Sequence, residues 1–195
     1  MTSELADFGR QYTSKLAGLL QQLDYTVIES IAQQLIRAHR EGRRVYVIGN
    51  GGSAATAAHL VCDLGKNTAS GRVLGIRVMA LTDNVPISTA LSNDHGYETL
   101  FERQLRTLVE PGDIVMAISA SGNSPNIVNG LKAAREVGAA TIALLGFDGG
   151  AARALSDVAL VIESFNYGQV EDAHMIIGHV LAQHLRECFS GLASR

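Results

Sequence analysis

Apolar residues change their spacing once along this chain. Through residues 4–22, Leu5, Phe8, Tyr12, Leu16, Leu19 and Leu20 recur on one helical face, which predicts an amphipathic helix. A second helix is expected over 26–41, ending in His39 and Arg40 before Gly42. From there the pattern switches to short β-branched runs at 44–48, 77–82, 113–118, 140–145 and 158–162. Helical stretches at roughly 53–65, 97–109, 125–137 and 150–156 separate most of them. A last helix over about 170–189 carries Ile176, Ile177, Val180, Leu181 and Leu185. Continuous apolar strands alternating with helices indicate an α/β chain with a five-stranded parallel sheet covered on both faces, a three-layer αβα arrangement behind N-terminal helices. No repeat or low-complexity linker interrupts the chain, so residues 1–195 form one expected domain, with 66–76 as its expected mobile loop.

The switch between strand and helix is most informative at two places. Gly49-Asn50-Gly51-Gly52-Ser53 joins Val45-Tyr46-Val47-Ile48 to the alanine-rich segment from Ala54 to Leu64. A strand that turns through glycines into a helix offers bare N–H groups and the positive helix end, a setting for a phosphate. Ser119-Ala120-Ser121-Gly122-Asn123-Ser124 repeats the construction after Ile114-Val115-Met116-Ala117-Ile118. There Ser124 and Pro125 read as an N-cap followed by proline at the first helical position. The three serine hydroxyls either cap and fill a turn or cradle a phosphate. In parallel sheets ligands sit beyond the carboxyl ends of the strands, so both loops should open on one side, towards a small phosphorylated ligand. Gly49-x-Gly51-x-x-Ala54 also matches a dinucleotide fingerprint, but the acid it needs about 20 residues on is absent; Asp83 is about 30 on.

Composition narrows the classes. A net charge of −3 without a basic block gives no sign of nucleic-acid binding. No apolar run is long enough for a membrane span, and Met1-Thr2-Ser3-Glu4 lacks a leader pattern. Two cysteines, Cys62 and Cys188, make no disulfide framework, which suits a reducing cytoplasm. His59 and Asp63, four apart, share a helix face. Glu171, His174 and His179 lie on or beside the last helix, and together these residues could supply nitrogens and carboxylates to zinc or a similar divalent ion. Glu171 and His179 stand about 12 Å apart along a helix, so they must lean together or act in different subunits; Glu171 with His174 is the rival pair. Each histidine taken alone also reads as a surface or satisfied core residue. Asn93-Asp94 before Gly96 reads as a turn or as a pair for sugar hydroxyls.

On Gly49-Asn50-Gly51-Gly52-Ser53-Ala54, His59, Asn93-Asp94, Gly112-Asp113, the serine loop, Gly149-Gly150 and His174…His179, the chain resembles the sugar-isomerase (SIS) domain proteins, specifically the phosphoheptose isomerases. The resemblance implies a flavodoxin-like sheet and a cytoplasmic homotetramer with active sites between subunits, in which residues 1–42 serve oligomer packing. It implies isomerisation of sedoheptulose 7-phosphate to D-glycero-D-manno-heptose 7-phosphate. It puts Asn50, Gly51, Gly52, Ser53, Asn93, Asp94, Ser119, Ala120, Ser121 and Ser124 on the substrate, with Asp63 and Glu171 beside them. It assigns His59, Asp63, Glu171 and His179 to a metal, zinc in many members, and Asp63 with His179 to acid/base chemistry. Departures from the family are Asp63 for glutamate, Glu171 for glutamine, Ala120 for threonine, Gln169 for a basic residue and Gly168 for an acidic one. A non-catalytic relative of the DnaA-associating type, a phosphosugar-binding or protein-interaction module, is the alternative; the presence of His59, Asp63 and His179 favours the enzyme.

Overall fold

The computed structural model describes residues 2–193. Met1, where the leader-free start was read, and Ser194 and Arg195, the far end of the expected domain, lie outside the described residues. Two helices open the chain, α1 (Thr2–Gln21) and α2 (Tyr25–Arg40). Asp24 begins α2 by accepting from the N–H groups of Thr26 (2.9 Å) and Val27 (3.4 Å), donors that a helix start leaves free. Arg37, His39 and Arg40 face the negative end of the same helix.

The strands are β1 (Arg44–Gly49), β2 (Arg77–Ala80), β3 (Ile114–Ser119), β4 (Ala140–Gly146) and β5 (Val158–Ile162). All pair in parallel in the order β2-β1-β3-β4-β5, with Val47 opposite Met116 and Met116 opposite Ile142. This is the doubly wound flavodoxin order, and the α/β class and five strands agree with the pattern read from sequence. Every β3 residue is buried, as a strand covered on both faces requires. The remaining helices are α3 (Gly52–Cys62), α4 (Val85–His95), α5 (Leu100–Leu108), α6 (Pro125–Glu136), α7 (Gly150–Leu155) and α8 (Tyr167–Ala193). Neighbouring β1 residues point to opposite faces: Val47 joins a core with Leu35, Leu64, Met116 and Phe189 under α2, α3 and α8. Ile48 joins Phe101, Leu105, Val115 and Leu131 under α5 and α6.

Three features differ from expectation. Helix α4 was not foreseen: none of its residues is buried, so it carries no apolar stripe to read, and Asn84 starts it by accepting from Ile87 N–H (3.1 Å). The helix expected to run to 65 stops being α-helical at Cys62 and widens into a π-helical turn, Asp63–Asn67. The segment 66–76 is fastened: the Thr68 hydroxyl and Ile76 N–H both donate to the Leu64 carbonyl (2.6 and 3.1 Å), and Ser70 pairs with Val73. The stripe of α1 divides in use. Leu16, Leu19 and Leu20 pack on the core, whereas Leu5 and Phe8 are 75% and 65% exposed. Tyr12 donates to the Asp172 carboxylate (2.6 Å), tying α1 to the start of α8; that bond first, then burial, pushes the phenol up to about 12.

Candidate active site

Both glycine/serine loops leave the carboxyl ends of adjacent strands, since Gly49 of β1 pairs with Ile118 of β3. Strand order reverses at this pair, the position where open α/β sheets bind ligands. In the first loop a Cβ at Gly52 would overlap the Glu171 carboxylate, so only glycine lets that acid approach the start of α3. In the second, Gly122 has φ +63 and a Cβ there would overlap the Gly149 carbonyl, so this loop is seated on the β4–α7 turn. Ser119 Oγ accepts from Gly122 N–H (3.1 Å) and Ser121 Oγ from Asn123 N–H (3.3 Å). Ser124 takes the expected N-cap position ahead of Pro125, yet its hydroxyl makes no capping hydrogen bond. It is therefore available to an anion at the start of α6. Ala120 and Ser53 are buried beneath their loops.

An amide pair that the sequence did not reveal joins the loops. Asn126 donates to Asn50 Oδ1 (2.8 Å), Asn50 donates back to Asn126 Oδ1 (2.9 Å), and Tyr97 donates to Asn50 Oδ1 (2.8 Å). Asn126 is buried at the start of α6. Its signal was an asparagine directly after Ser124-Pro125, where no core residue was needed. Asn93 and Asp94 lie in the last turn of α4, not in the turn expected of them. Both are exposed and Asn93 donates to Asp94 (2.8 Å). They stand three and four residues before Tyr97, which reaches the first loop.

Helices α3 and α8 run side by side in the same direction. Gly52 meets Glu171 at one end, a Cβ at Gly178 would touch Leu60 Cδ1 (3.0 Å), and His59 meets His179 two turns on. The two Nε2 atoms are 2.9 Å apart, and Asp63 Oδ2 lies 3.3 Å from His59 Nε2 and 3.6 Å from His179 Nε2. Four-coordinate zinc with bonds of about 2.0–2.1 Å spaces its ligand atoms roughly 3.3 Å apart, so this donor set fits a divalent ion with one position left open. Among the described residues, His59, Asp63 and His179 are the group that could hold a metal. Glu171, expected as a fourth ligand, is outside it within one chain because two helical turns carry it up to the first loop. The rival His174 is a core residue: Nε2 bonds the Leu145 carbonyl (3.0 Å), and burial pushes the imidazole down to about 4 against that bond. It is 1% exposed with Nε2 committed to the Leu145 carbonyl, and it stands outside the group that could hold a metal.

A sheet of this order, with two glycine/serine loops at its switch point and a His/Asp/His group shared between α3, the π-helical turn after it and α8, defines an α/β domain suited to binding a phosphate ester and to acid/base or metal-assisted chemistry. The SIS domain model matches residues 11–146. The phosphoheptose isomerase of Pelobacter propionicus is 42% identical over 156 residues, 80% of this chain and 82% of its own. That of Aquifex aeolicus is 39% identical over 168 residues, 82% and 87%. The solved phosphoheptose isomerase of Neisseria gonorrhoeae superposes with a TM-score of 0.88 at 26% identity, covering 96% of this chain and 100% of the other. The chain belongs to the SIS domain family and, within it, to the phosphoheptose isomerases, a group of phosphosugar isomerases.

Proposed function

We propose that this protein interconverts a phosphorylated ketose and aldose, sedoheptulose 7-phosphate and D-glycero-D-manno-heptose 7-phosphate. The observation that carries the reading is the convergence of His59, Asp63 and His179 on helices that also border the first anion loop. The relatives' shared name supports the seven-carbon substrate. Ser119, Ser121, Ser124 and the start of α6 hold the phosphate, while Asn50, Gly51 and Gly52, with Asn93 and Asp94, line the sugar. Fixing the phosphate places the reacting carbons near the carboxylate and imidazoles. Asp63 removes a proton from C1 of the ketose as a ring N–H of His179 donates a proton to the C2 carbonyl oxygen. The enediol then regains a proton on C2 from Asp63 while His179 takes back the O1 proton. His59, Asp63 and His179 would hold a divalent ion, zinc by the nature of the donors, which supplies Lewis-acid polarisation of the substrate oxygens. Glu171, poised over Gly52, contacts the sugar.

Exposed Leu5 and Phe8 on α1 support assembly into a homotetramer through residues 1–42. The free thiols of Cys62 and Cys188 support a cytoplasmic setting. Among the described residues no helix is long and apolar enough to cross a membrane.

Asp63→Asn tests the assignment, with turnover of sedoheptulose 7-phosphate followed by NMR and sugar-phosphate binding by calorimetry. Loss of the base lowers kcat about 10²–10⁴-fold while Kd for the sugar phosphate stays within about threefold. Normal turnover by Asp63→Asn removes Asp63 as the base. Tight binding without turnover by the metal-loaded wild type selects the non-catalytic module instead.

A further inference from the structure

The Asp63 carboxylate is used on both sides. Oδ2 faces the two imidazoles, and Oδ1 accepts a 2.7 Å hydrogen bond from the side-chain amide of Asn67. The donor stands at the far end of the π-helical turn that starts at Asp63 itself. Wide turns of this kind are local departures from the α-helical ladder that recur at functional sites. This one is held on its inner side: Thr68, next to Asn67, is fully buried and its hydroxyl donates to the Leu64 carbonyl (2.6 Å). The same carbonyl accepts from Ile76 N–H (3.1 Å), so the turn is clamped to the segment leading into β2. Asn67 is exposed, yet its amide is delivered to Asp63 by a buried neighbour rather than by its own packing.

We propose that Asn67 is a positioning residue for the metal site: by occupying Oδ1, it confines Asp63 to a one-oxygen contact through Oδ2 and fixes that oxygen's direction toward His59 and His179. The inference rests on the reading of His59, Asp63 and His179 as a metal group. An amide suits the task better than a cation would. Lysine or arginine at this position would orient the carboxylate but also place a positive charge beside the ion. Asn67 orients it and leaves its negative charge intact. Lys66, one residue earlier, is exposed and makes no described bond to Asp63. Hydrogen-bond partners of metal ligands characteristically change metal affinity by about 10–100-fold when lost.

The experiment measures Zn²⁺ affinity of the full-length protein by competition with a chromophoric chelator. The variants are Asn67→Leu, Asn67→Ala, Asp63→Ala and the pair Asp63→Ala/Asn67→Leu, with the melting temperature of each metal-free form and the visible spectrum of each Co²⁺ form. Two substitutions at position 67 keep a packing fault peculiar to one of them from deciding the outcome. The expected result is a Kd raised about 10–100-fold by either Asn67 variant, an altered Co²⁺ spectrum, and metal-free melting within a few degrees of wild type. Asn67→Leu adds nothing once Asp63 is alanine. Zinc affinity unchanged within about threefold in both Asn67 variants while Asp63→Ala loses it overturns the positioning role and leaves the metal group standing. An equal loss from Asn67→Leu with and without Asp63 also overturns it, since the effect then does not pass through the carboxylate. If Asp63→Ala binds zinc like wild type, the metal group itself is wrong and the role of Asn67 falls with it.

Discussion

Replacing Asn126 with leucine probes whether the two loops act as one unit. Asn126 is 1% exposed and takes part in three hydrogen bonds: to Asn50 Oδ1 (2.8 Å), from Asn50 Nδ2 (2.9 Å) and from Ile127 N–H (3.0 Å). Leucine has nearly the same shape, so the change removes polarity with little change in volume. A buried polar group stripped of its partner costs about 1–3 kcal/mol. Two of the three stranded groups keep other partners, because Asn50 Oδ1 still accepts from Tyr97 and Ile127 N–H still reaches the Ser124 carbonyl (3.0 Å), and the Asn50 Nδ2 amide belongs to a half-buried residue that water can reach. The expected loss is thus in the lower part of that range, about 1–2 kcal/mol, or roughly 2–8 °C in melting temperature for a chain of this size. Thermal unfolding by circular dichroism reads the stability term. Steady-state kinetics on the sugar phosphate reads the second term, a raised KM from an Asn50 side chain no longer held between the loops. A variant that melts within 1 °C of wild type and keeps its KM refutes the reasoning, because the amide pair would then be doing nothing the solvent could not do.

Two further substitutions address the phosphate loop and the core. Gly122→Ala forces φ +63 on a residue with a Cβ that overlaps the Gly149 carbonyl, so the serine loop must lift from the β4–α7 turn. Inorganic phosphate and sugar phosphate should both bind at least tenfold more weakly by calorimetry, and unchanged phosphate affinity would show that this loop is not the anion site. His174 is held neutral with its folded value at about 4 against 6.5 unfolded, so its contribution is fully present above pH 6.5 and drains away as pH falls toward 4. Denaturant titrations should therefore show wild type losing roughly 3 kcal/mol more than His174→Gln across that window, at most about 1.4 kcal/mol per pH unit. Parallel curves would mean that the buried imidazole takes its proton without penalty.

What the sequence disclosed follows from how each element is stabilised. The strands and α2, α5, α6 and α8 bury apolar faces, and periodicity finds such faces. Helix α4 buries none of its residues and was missed, although Asn84 two residues before Pro86 was a start signal of the same kind as Ser124-Pro125. The placement of both loops between strand and helix was legible because glycine and hydroxyl residues punctuate such junctions. The pairing of His59 with Asp63 followed from helical spacing alone. That His179 meets them while Glu171 does not depended on the relative placement of α3 and α8, which no local pattern encodes. Asn67, Asn126 and Tyr97 went unseen for a similar reason: each acts through side-chain hydrogen bonds to a residue already suspected, and a single asparagine or tyrosine has no periodic signature.

The parallel pairing of α3 with α8 has a genetic consequence. Six residues of unbroken helix separate Gly52 from His59, so the separation of loop and imidazole is counted out in whole residues at about 1.5 Å apiece. Adding or deleting one residue between positions 53 and 58 would swing His59 by about 100° around the helix axis and away from His179. Homologous genes should accordingly vary at the exposed positions of this stretch, Ala55 and Ala58, yet tolerate no change in its length.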